Sequence, residues 1–398
     1  METKPANFSI LILGITSLLL LTAPAMSEIA VRSDFDNGNG QLHKWDSEKQ
    51  LLQVKVKRYN GCRNIWWHFQ ISGLTPGKTI RFVCDHDPVA GDINPVYSTD
   101  KVNWRRLDDE NAPYKLTPDA ETVWVARNIP YPYGKSVELA NSLRGKENVQ
   151  VSTLCKSEAD HDVVMLRFTD TSVPDTDKKL IWIQARQHAF ESHGSWIAHG
   201  FAQHLASEEA KPLLQKAILY VVPIMDVDNV FKGSAGKDQK PIDFNRCWSD
   251  KLDRWNAVDA AINTINAQIT TNPLILFMDL HDPWYPEPHH WHIVPGSDRE
   301  VITEFGEKFV ENVAKIEGAN SWKNWFLWPQ GRSQPSGPTS THYAKRTWML
   351  DQSRAVSICM ETAHFKDNDG RFMTSQGLLD FGRALGITAE YWTRSMQD

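Results

Sequence analysis

Cysteine is scarce in this chain: Cys62, Cys84, Cys155, Cys247 and Cys359 are all there are among 398 residues. No two of them have the close spacing of a cysteine zinc site, which excludes that kind of centre. An odd number leaves at least one without a partner in the chain. Runs of lysine and arginine are lacking too, so no segment reads as a nucleic-acid arm. The net charge of -6 gives a polyphosphate partner no reason to bind. Long apolar runs are confined to Phe8 to Thr22, which is short for a membrane span of ~20 residues. That run follows Lys4 and precedes Ala23-Pro24-Ala25, a small-x-small pattern suited to signal peptidase. These features predict a signal peptide over residues 1–27 and an exported protein, periplasmic or extracellular, with no membrane span after cleavage. An uncleaved anchor would equally place the rest of the chain outside the cytoplasm. Export would permit disulfides, although their pairing is not legible in the spacing.

What remains is ordinary globular material, 41% hydrophobic and 23% charged, enough for a large core. The 16 tryptophans are mostly expected to pack there. The length suits two domains. Residues 28–127 read as all-β. Leu51 to Val56 largely alternates apolar and polar, and Ile65 to Ile71, Thr79 to Val83 and Val123 to Ala126 are further strand-like runs, with Pro76-Gly77 as a turn. Together they predict a small β-sandwich.

From residue 128 to 398 the pattern changes. Strands are expected at Leu180 to Ile183, Ala217 to Ile224, Leu274 to Leu280, His290 to Val294 and Ala355 to Met360. Helices are expected at Ser195 to Leu205, Leu252 to Ile269, Val301 to Ile316 and Leu378 to Trp392. This alternation predicts an α/β fold, a mixed, mostly parallel sheet covered by helices on both faces. Ligands of such sheets sit beyond the carboxyl ends of the strands. Trp325 to Thr341 reads as a long loop, a length often used for lids.

Four motifs could carry chemistry. His188 and Glu191 lie three apart in Arg186-Gln187-His188-Ala189-Phe190-Glu191-Ser192-His193-Gly194, between a buried strand and a helix. A catalytic zinc site needs three protein ligands and an open position. His281, at the end of the strand from Leu274, is the best third candidate. A lone histidine is more often a hydrogen-bonded core or surface residue; two histidines and a glutamate at matching strand ends weigh against that. Asn245-Arg246, in Ile242-Asp243-Phe244-Asn245-Arg246, could clamp a carboxylate in bidentate fashion, or Arg246 could pair with Asp243 or Asp250. Glu361 ends the strand Ser357-Ile358-Cys359-Met360. Beside a metal it would serve as a general base; in isolation it would more often be a solvated strand end.

The set, in this order, resembles the zinc metallocarboxypeptidases, specifically the cytosolic-carboxypeptidase-like branch with an N-terminal β-sandwich. The opening Ser33-Asp34-Phe35-Asp36-Asn37-Gly38-Asn39 and the segment Asn128-Ile129-Pro130-Tyr131-Pro132-Tyr133 are similar to that branch as well. The resemblance implies a carboxypeptidase-like fold, with His188, Glu191 and His281 as zinc ligands and Glu361 as the catalytic base. It also implies that Asn245 and Arg246 hold the C-terminal carboxylate of a peptide substrate, with Tyr343 as the mobile tyrosine. Arg346 lies near where the family reads the terminal side chain; a cation there would favour acidic ends, and a surface arginine is the alternative. His289, His290 and His292 could line the cleft or face solvent. The family carries an arginine shortly before its Asn-Arg pair, where it stabilises the oxyanion. Gly236 stands at that position here, with Lys237 and Lys232 as substitutes nearby. Loss of one oxyanion donor costs ~3–4 kcal/mol.

The expectation is therefore a zinc-dependent carboxypeptidase acting on exported, cell-wall or acidic-ended peptides. The alternatives are a zinc amidase acting on small N-acyl substrates and a degenerate peptidase serving as a binding module. The oligomeric state is not legible in the sequence.

Overall fold

The structure is a computed structural model. It describes residue 1 and residues 28–59, 61–87, 94–109, 111–248, 253–282, 291–295, 299–316, 325–327, 356–362 and 373–395. The expected signal peptide, apart from Met1, lies outside the described residues, as do His289, His290, Tyr343 and Arg346.

Nine short strands come first: β1 (Ala30–Arg32), β2 (Gln41–Asp46), β3 (Leu51–Lys55), β4 (His68–Ser72), β5 (Ile80–Asp85), β6 (Val96–Ser98), β7 (Arg105–Arg106), β8 (Tyr114–Leu116) and β9 (Thr122–Ala126). They form a five-stranded sheet in the order β1-β4-β9-β6-β7 and a four-stranded sheet in the order β2-β3-β5-β8. Inward residues of both sheets share one core: Leu52, Val54, Phe69, Ile71, Phe82, Tyr114, Val123 and Val125. In β3 and β5 the buried positions alternate with more exposed ones, as a strand with one covered face requires. This is the expected sandwich.

The second part begins with helix α1 (Tyr133–Leu143) and is built on an eight-stranded sheet. Its strands are β10 (Val149–Lys156), β11 (Asp162–Phe168), β12 (Lys179–Ala185), β13 (Ala217–Val222), β14 (Leu274–His281), β15 (Trp291–Pro295), β16 (Trp325–Leu327) and β17 (Val356–Thr362), in the order β10-β11-β13-β12-β14-β17-β15-β16. The centre, β13-β12-β14-β17, is parallel, while β10, β11 and the β15-β17 pair are antiparallel. Every residue of β13 and β14 is buried, because helices cover both faces. The α/β expectation holds. The antiparallel pair β10-β11 is absent from the sequence reading. So is β16, which falls where a loop is expected.

The chain leaves β12 for β13 on one side and returns to β14 on the other. The carboxyl ends of β12 and β14 therefore flank a switch point, where such sheets hold ligands. Helix α2 (Ser192–Leu205) crosses over this end, buried along nearly its whole length between the sheet and the last helix. Of the remaining helices, α3 (Lys211–Leu214), α4 (Val227–Phe231), α5 (Asn256–Ile269), α6 (Arg299–Val313) and α7 (Ser375–Ser395), α7 packs closest on α2. A Cβ at Gly200 would lie 2.1 Å from the Leu379 carbonyl oxygen, and one at Gly382 would lie 2.1 Å from the Ile197 carbonyl oxygen. Only bare backbone lets the two helices approach so nearly.

Candidate metal centre

β12 ends at Ala185, and Arg186 turns the chain with φ +66°. Its buried guanidinium holds the loop, donating from Nε to the Ala189 carbonyl at 2.8 Å and from Nη1 to the Tyr131 carbonyl at 3.1 Å. His188 falls in this loop, and Glu191 is the residue immediately before α2. The first N–H groups of α2 donate to Asp282, His193 N at 2.8 Å and Gly194 N at 3.1 Å, which satisfies otherwise orphaned donors and leaves the Glu191 carboxylate to the two imidazoles. His281 closes β14.

These three side chains meet. Glu191 Oε1 lies 2.7 Å from His188 Nδ1, and Glu191 Oε2 lies 2.6 Å from His281 Nδ1. One donor atom from each of the three residues falls within 4.8 Å of the others, and all three residues are buried. The far nitrogens are held as well. His188 Nε2 faces Asp243 Oδ1 at 3.0 Å, and His281 Nε2 faces Asp279 Oδ2 at 3.0 Å. A carboxylate on Nε2 holds each ring with Nδ1 turned to the common point. Asp279 is itself gripped by Gln187 Nε2 at 2.5 Å and Gln184 Nε2 at 3.3 Å, and Gln187 Oε1 accepts from Trp248 Nε1 at 2.7 Å.

The electrostatics agree. Burial works to lower the His188 pKa, but Asp243 and Glu191 outweigh it and hold it above its ordinary value. His281 is raised in the same way against burial, chiefly by Asp279. Burial pushes Glu191 up, yet the two imidazoles bring it down to about 2. Three carboxylates crowding two imidazoles make a pocket of negative charge, the environment a divalent cation neutralises.

Glu361 is the cross-strand neighbour of His281, on β17. Part of the residue remains accessible, but burial dominates at its carboxyl and raises the pKa to about 7, with His281 opposing. Among the described residues Glu361 Oε2 has no hydrogen-bond partner. Lys237 brings Nζ to 3.4 Å from His188 Nε2. Asn245 and Arg246 lie on a single 3-10 turn, Phe244–Arg246, tied to the centre because Asp243 Oδ1 also accepts from Asn245 N at 2.9 Å. The expected alternative pairing of Arg246 with Asp243 does not form, since Asp243 is engaged by His188; Asp250 lies outside the described residues. Arg246 Nη1 instead donates to the Asn245 carbonyl at 3.0 Å.

A sequence model of the zinc carboxypeptidases, described as "Zinc carboxypeptidase", matches residues 140–370. The chain belongs to the zinc carboxypeptidase family. A second model, the cytosolic carboxypeptidase N-terminal domain, matches residues 31–128. Among relatives, cytosolic carboxypeptidase 6 of Caenorhabditis elegans is 23% identical over 297 residues, covering 65% of this chain and 63% of that protein. Human cytosolic carboxypeptidase 2 is 24% identical over 310 residues, covering 67% of this chain and 34% of that one. The alignments thus span less than two thirds of these relatives. Two solved structures share the fold. A metallo-carboxypeptidase from Burkholderia cenocepacia has a TM-score of 0.76 at 16% identity, covering 93% of this chain and 100% of the other. One from Pseudomonas aeruginosa, in complex with (2-guanidinoethylmercapto)succinic acid, has 0.72 at 21%, covering 91% and 98%.

The expectation of an exported, secreted or periplasmic protein is corrected by these comparisons. The relatives and the matched N-terminal domain are both named for cytosolic carboxypeptidases and point to a cytosolic protein. A single lysine before a short apolar run is a weak signal beside a likeness that extends over hundreds of residues. None of the five cysteines is joined in a disulfide. Among the described residues no helix is long and apolar enough to cross a membrane.

Zinc is the family's metal, and the residues fit it. Two imidazole nitrogens and a carboxylate are a catalytic zinc donor set, and the unsatisfied Glu361 oxygen lies beside it. The orienting residues Asp243, Asp279, Gln187 and Asp282 escape the sequence reading as site residues. For Asp279 a signal existed, because positions two apart on a strand share a face and Asp279 precedes His281 by two. Asp243 is read from the sequence only as a salt-bridge partner for Arg246, and Lys237 as a substitute for the absent oxyanion arginine; that both reach His188 has no signal in the sequence, because they come from loops.

Proposed function

We propose that the protein is a zinc-dependent carboxypeptidase that hydrolyses the C-terminal peptide bond of peptides. Its catalytic part would be residues 128–398 and its accessory β domain residues 28–127. The observation that carries this reading is the convergence of His188, Glu191 and His281 donors within 4.8 Å, with Glu361 in register beside His281. The three are the metal ligands and Glu361 is the general base. Zinc, when bound, polarises the scissile carbonyl and makes a water acidic enough to give up its proton near neutral pH. Glu361 accepts that proton and passes it to the leaving amine. A carboxyl whose pKa burial raises is suited to both halves of that transfer. Arg246 and Asn245 bind the substrate's terminal carboxylate, which selects a chain end over an internal bond. A preference for acidic ends rests on Arg346 and closure of the cleft on Tyr343, both outside the described residues.

The oxyanion donor is the second question. Gly236 has φ +70°, and a Cβ there would lie 2.7 Å from Asp226 Oδ2 and 2.8 Å from Ala189 N. An arginine does not fit this backbone. Lys237, next in sequence, sits behind His188 with Nζ 3.4 Å from its Nε2, close enough for its charge to lower the Glu361 pKa, and is the cation we assign to the developing negative charge. The same departure favours a second reading, a zinc amidase acting on small N-acyl substrates. Zinc-loaded and chelator-treated protein, offered a panel of peptides and acyl-amino acids, tests both. Metal-dependent release of single C-terminal residues is expected; turnover of acyl-amino acids alone supports the amidase, and no turnover of either overturns both.

A further inference from the structure

The N-terminal sandwich meets the catalytic part at several places, among them the start of α1, where Asp36 accepts from Tyr133 N and Gly134 N, and the stretch from Val230 to Asp243. Asn37, at φ +69°, donates from its backbone to the Phe231 carbonyl at 2.9 Å and from Nδ2 to the Val230 carbonyl at 3.0 Å. Buried Asn39 donates from Nδ2 to the Gly233 carbonyl at 2.8 Å. Gly233 lies so close to the opening turn that a Cβ would come within 2.2 Å of the Gly38 carbonyl oxygen. Arg63 donates from its backbone to the Lys237 carbonyl at 2.9 Å and from Nε to Asp238 Oδ2 at 2.8 Å.

The opposite edge of this segment lies on the metal centre. Asp238 N donates to Asp243 Oδ2 at 2.9 Å, and Asp243 Oδ1 faces His188 Nε2 at 3.0 Å. Phe190 N donates to the Ala235 carbonyl at 3.1 Å, and Lys237 Nζ approaches His188. Only Asp238 and Asp243 separate Arg63 of the sandwich from His188.

We propose that the N-terminal domain is a positioning part of the metal centre: through Arg63 and Asn39 it holds the segment from Gly233 to Asp243 so that the Asp243 carboxylate stays on His188. The segment has only the short turn at Phe244–Arg246 beyond it and no long helix or strand of its own. Its conformation is therefore set by what it lies against. A histidine ligand whose outer carboxylate wanders loses orientation, and metal affinity falls. The inference rests on reading His188 as a zinc ligand.

The test measures the zinc dissociation constant of the full chain by competition with a chromophoric chelator. Arg63 and Asp238 are about half exposed, so Arg63→Ala is expected to fold normally and to weaken zinc about two- to fivefold, the range of an exposed ion pair. Arg63→Lys, which keeps a cationic donor, should restore most of the loss. Asn39→Ala, which removes buried bonds, should weaken zinc about tenfold or more, with peptide turnover recovering at excess zinc; a general loss of structure would not be repaired in that way. Arg105→Ala removes an equally exposed pair with Asp119 in the same domain and serves as the control with unchanged affinity. If Arg63→Ala and Asn39→Ala bind zinc as tightly as the control while His188→Ala loses it, the positioning role is overturned and the metal site stands. If His188→Ala still binds zinc at full affinity, the metal reading falls and this inference falls with it.

Discussion

His281 and Glu361 stand side by side at the same level of two parallel strands, one ending β14 and the other near the end of β17. Adjacent strands keep a spacing of about 4.8 Å, so the proposed metal ligand and the proposed base are held at a fixed separation by main-chain hydrogen bonds rather than by a loop. Residues two positions back share their face, and there Asp279 pairs with Cys359 across the same two strands and with Gln184 on β12. One row of the sheet carries His281 and Glu361, and the row beneath carries Asp279, whose carboxylate holds the His281 ring.

If Glu361 is the proton carrier, Glu361→Gln should retain zinc and lose about 10²–10⁴-fold in kcat, the range of a general base. Metal content by atomic absorption and peptide turnover check this together. A Gln variant with full activity removes Glu361 from the role.

Asp279→Asn should weaken zinc about 10–100-fold, the range for an outer carboxylate on a ligand histidine. Its partners Gln187 and Gln184 would face an amide in place of a carboxylate. Chelator competition reads the affinity, and a value equal to that of the unaltered protein rejects the orienting role.

Gly236→Arg should not raise turnover. The left-handed backbone costs a non-glycine residue about 1–2 kcal/mol, and crowding against Ala189 and Asp226 about 1–3 kcal/mol more. The melting temperature should drop. Lys237→Ala, in contrast, should lower kcat/KM with little change in melting, and Lys237→Arg should retain more activity than Ala.

Among the described residues, His68, His199 and His204 are held by burial in the neutral form. Burial brings His68 down to about 3, with Lys101 adding to the effect. His199 and His204 fall to about 4, again mainly through burial. The unfolded chain takes up protons near pH 6.5, whereas the folded chain waits until about pH 4 or below. The contribution of these three histidines to stability is therefore full above pH 6.5 and is lost as the pH falls toward 4. Urea midpoints of the unaltered protein and of a variant lacking one of these imidazoles, compared between these values, isolate that contribution from the opposing raised groups at His188, His281 and Glu361. His68→Phe, in a ring of Phe35, Trp66 and Trp104, should make the loss shallower; an unchanged slope would exclude His68 as a contributor.

Much of the fold was legible because period and burial are written locally. The apolar run ending in His281 could only be a strand covered on both faces, and the alternation around Leu52 and Val54 marked a sandwich. The motifs around His188, Glu191, His281 and Glu361 were visible as strand ends, which is where an α/β sheet keeps its ligands. The pair β10-β11 was harder to see, because its partly exposed alternation is a weaker signal than a continuous apolar run.

The sequence by itself determined which side chains were available at the ends of β12, β14 and β17, since strand length and hydrophobic pattern are local properties. Only the tertiary structure decided that Asp243 and Lys237 reach His188, that Asp279 turns His281, and that Arg63 and Asn39 grip the same loop from another domain. Those contacts join residues far apart in the chain, and loop conformation follows from the surfaces a loop lies against rather than from its own composition.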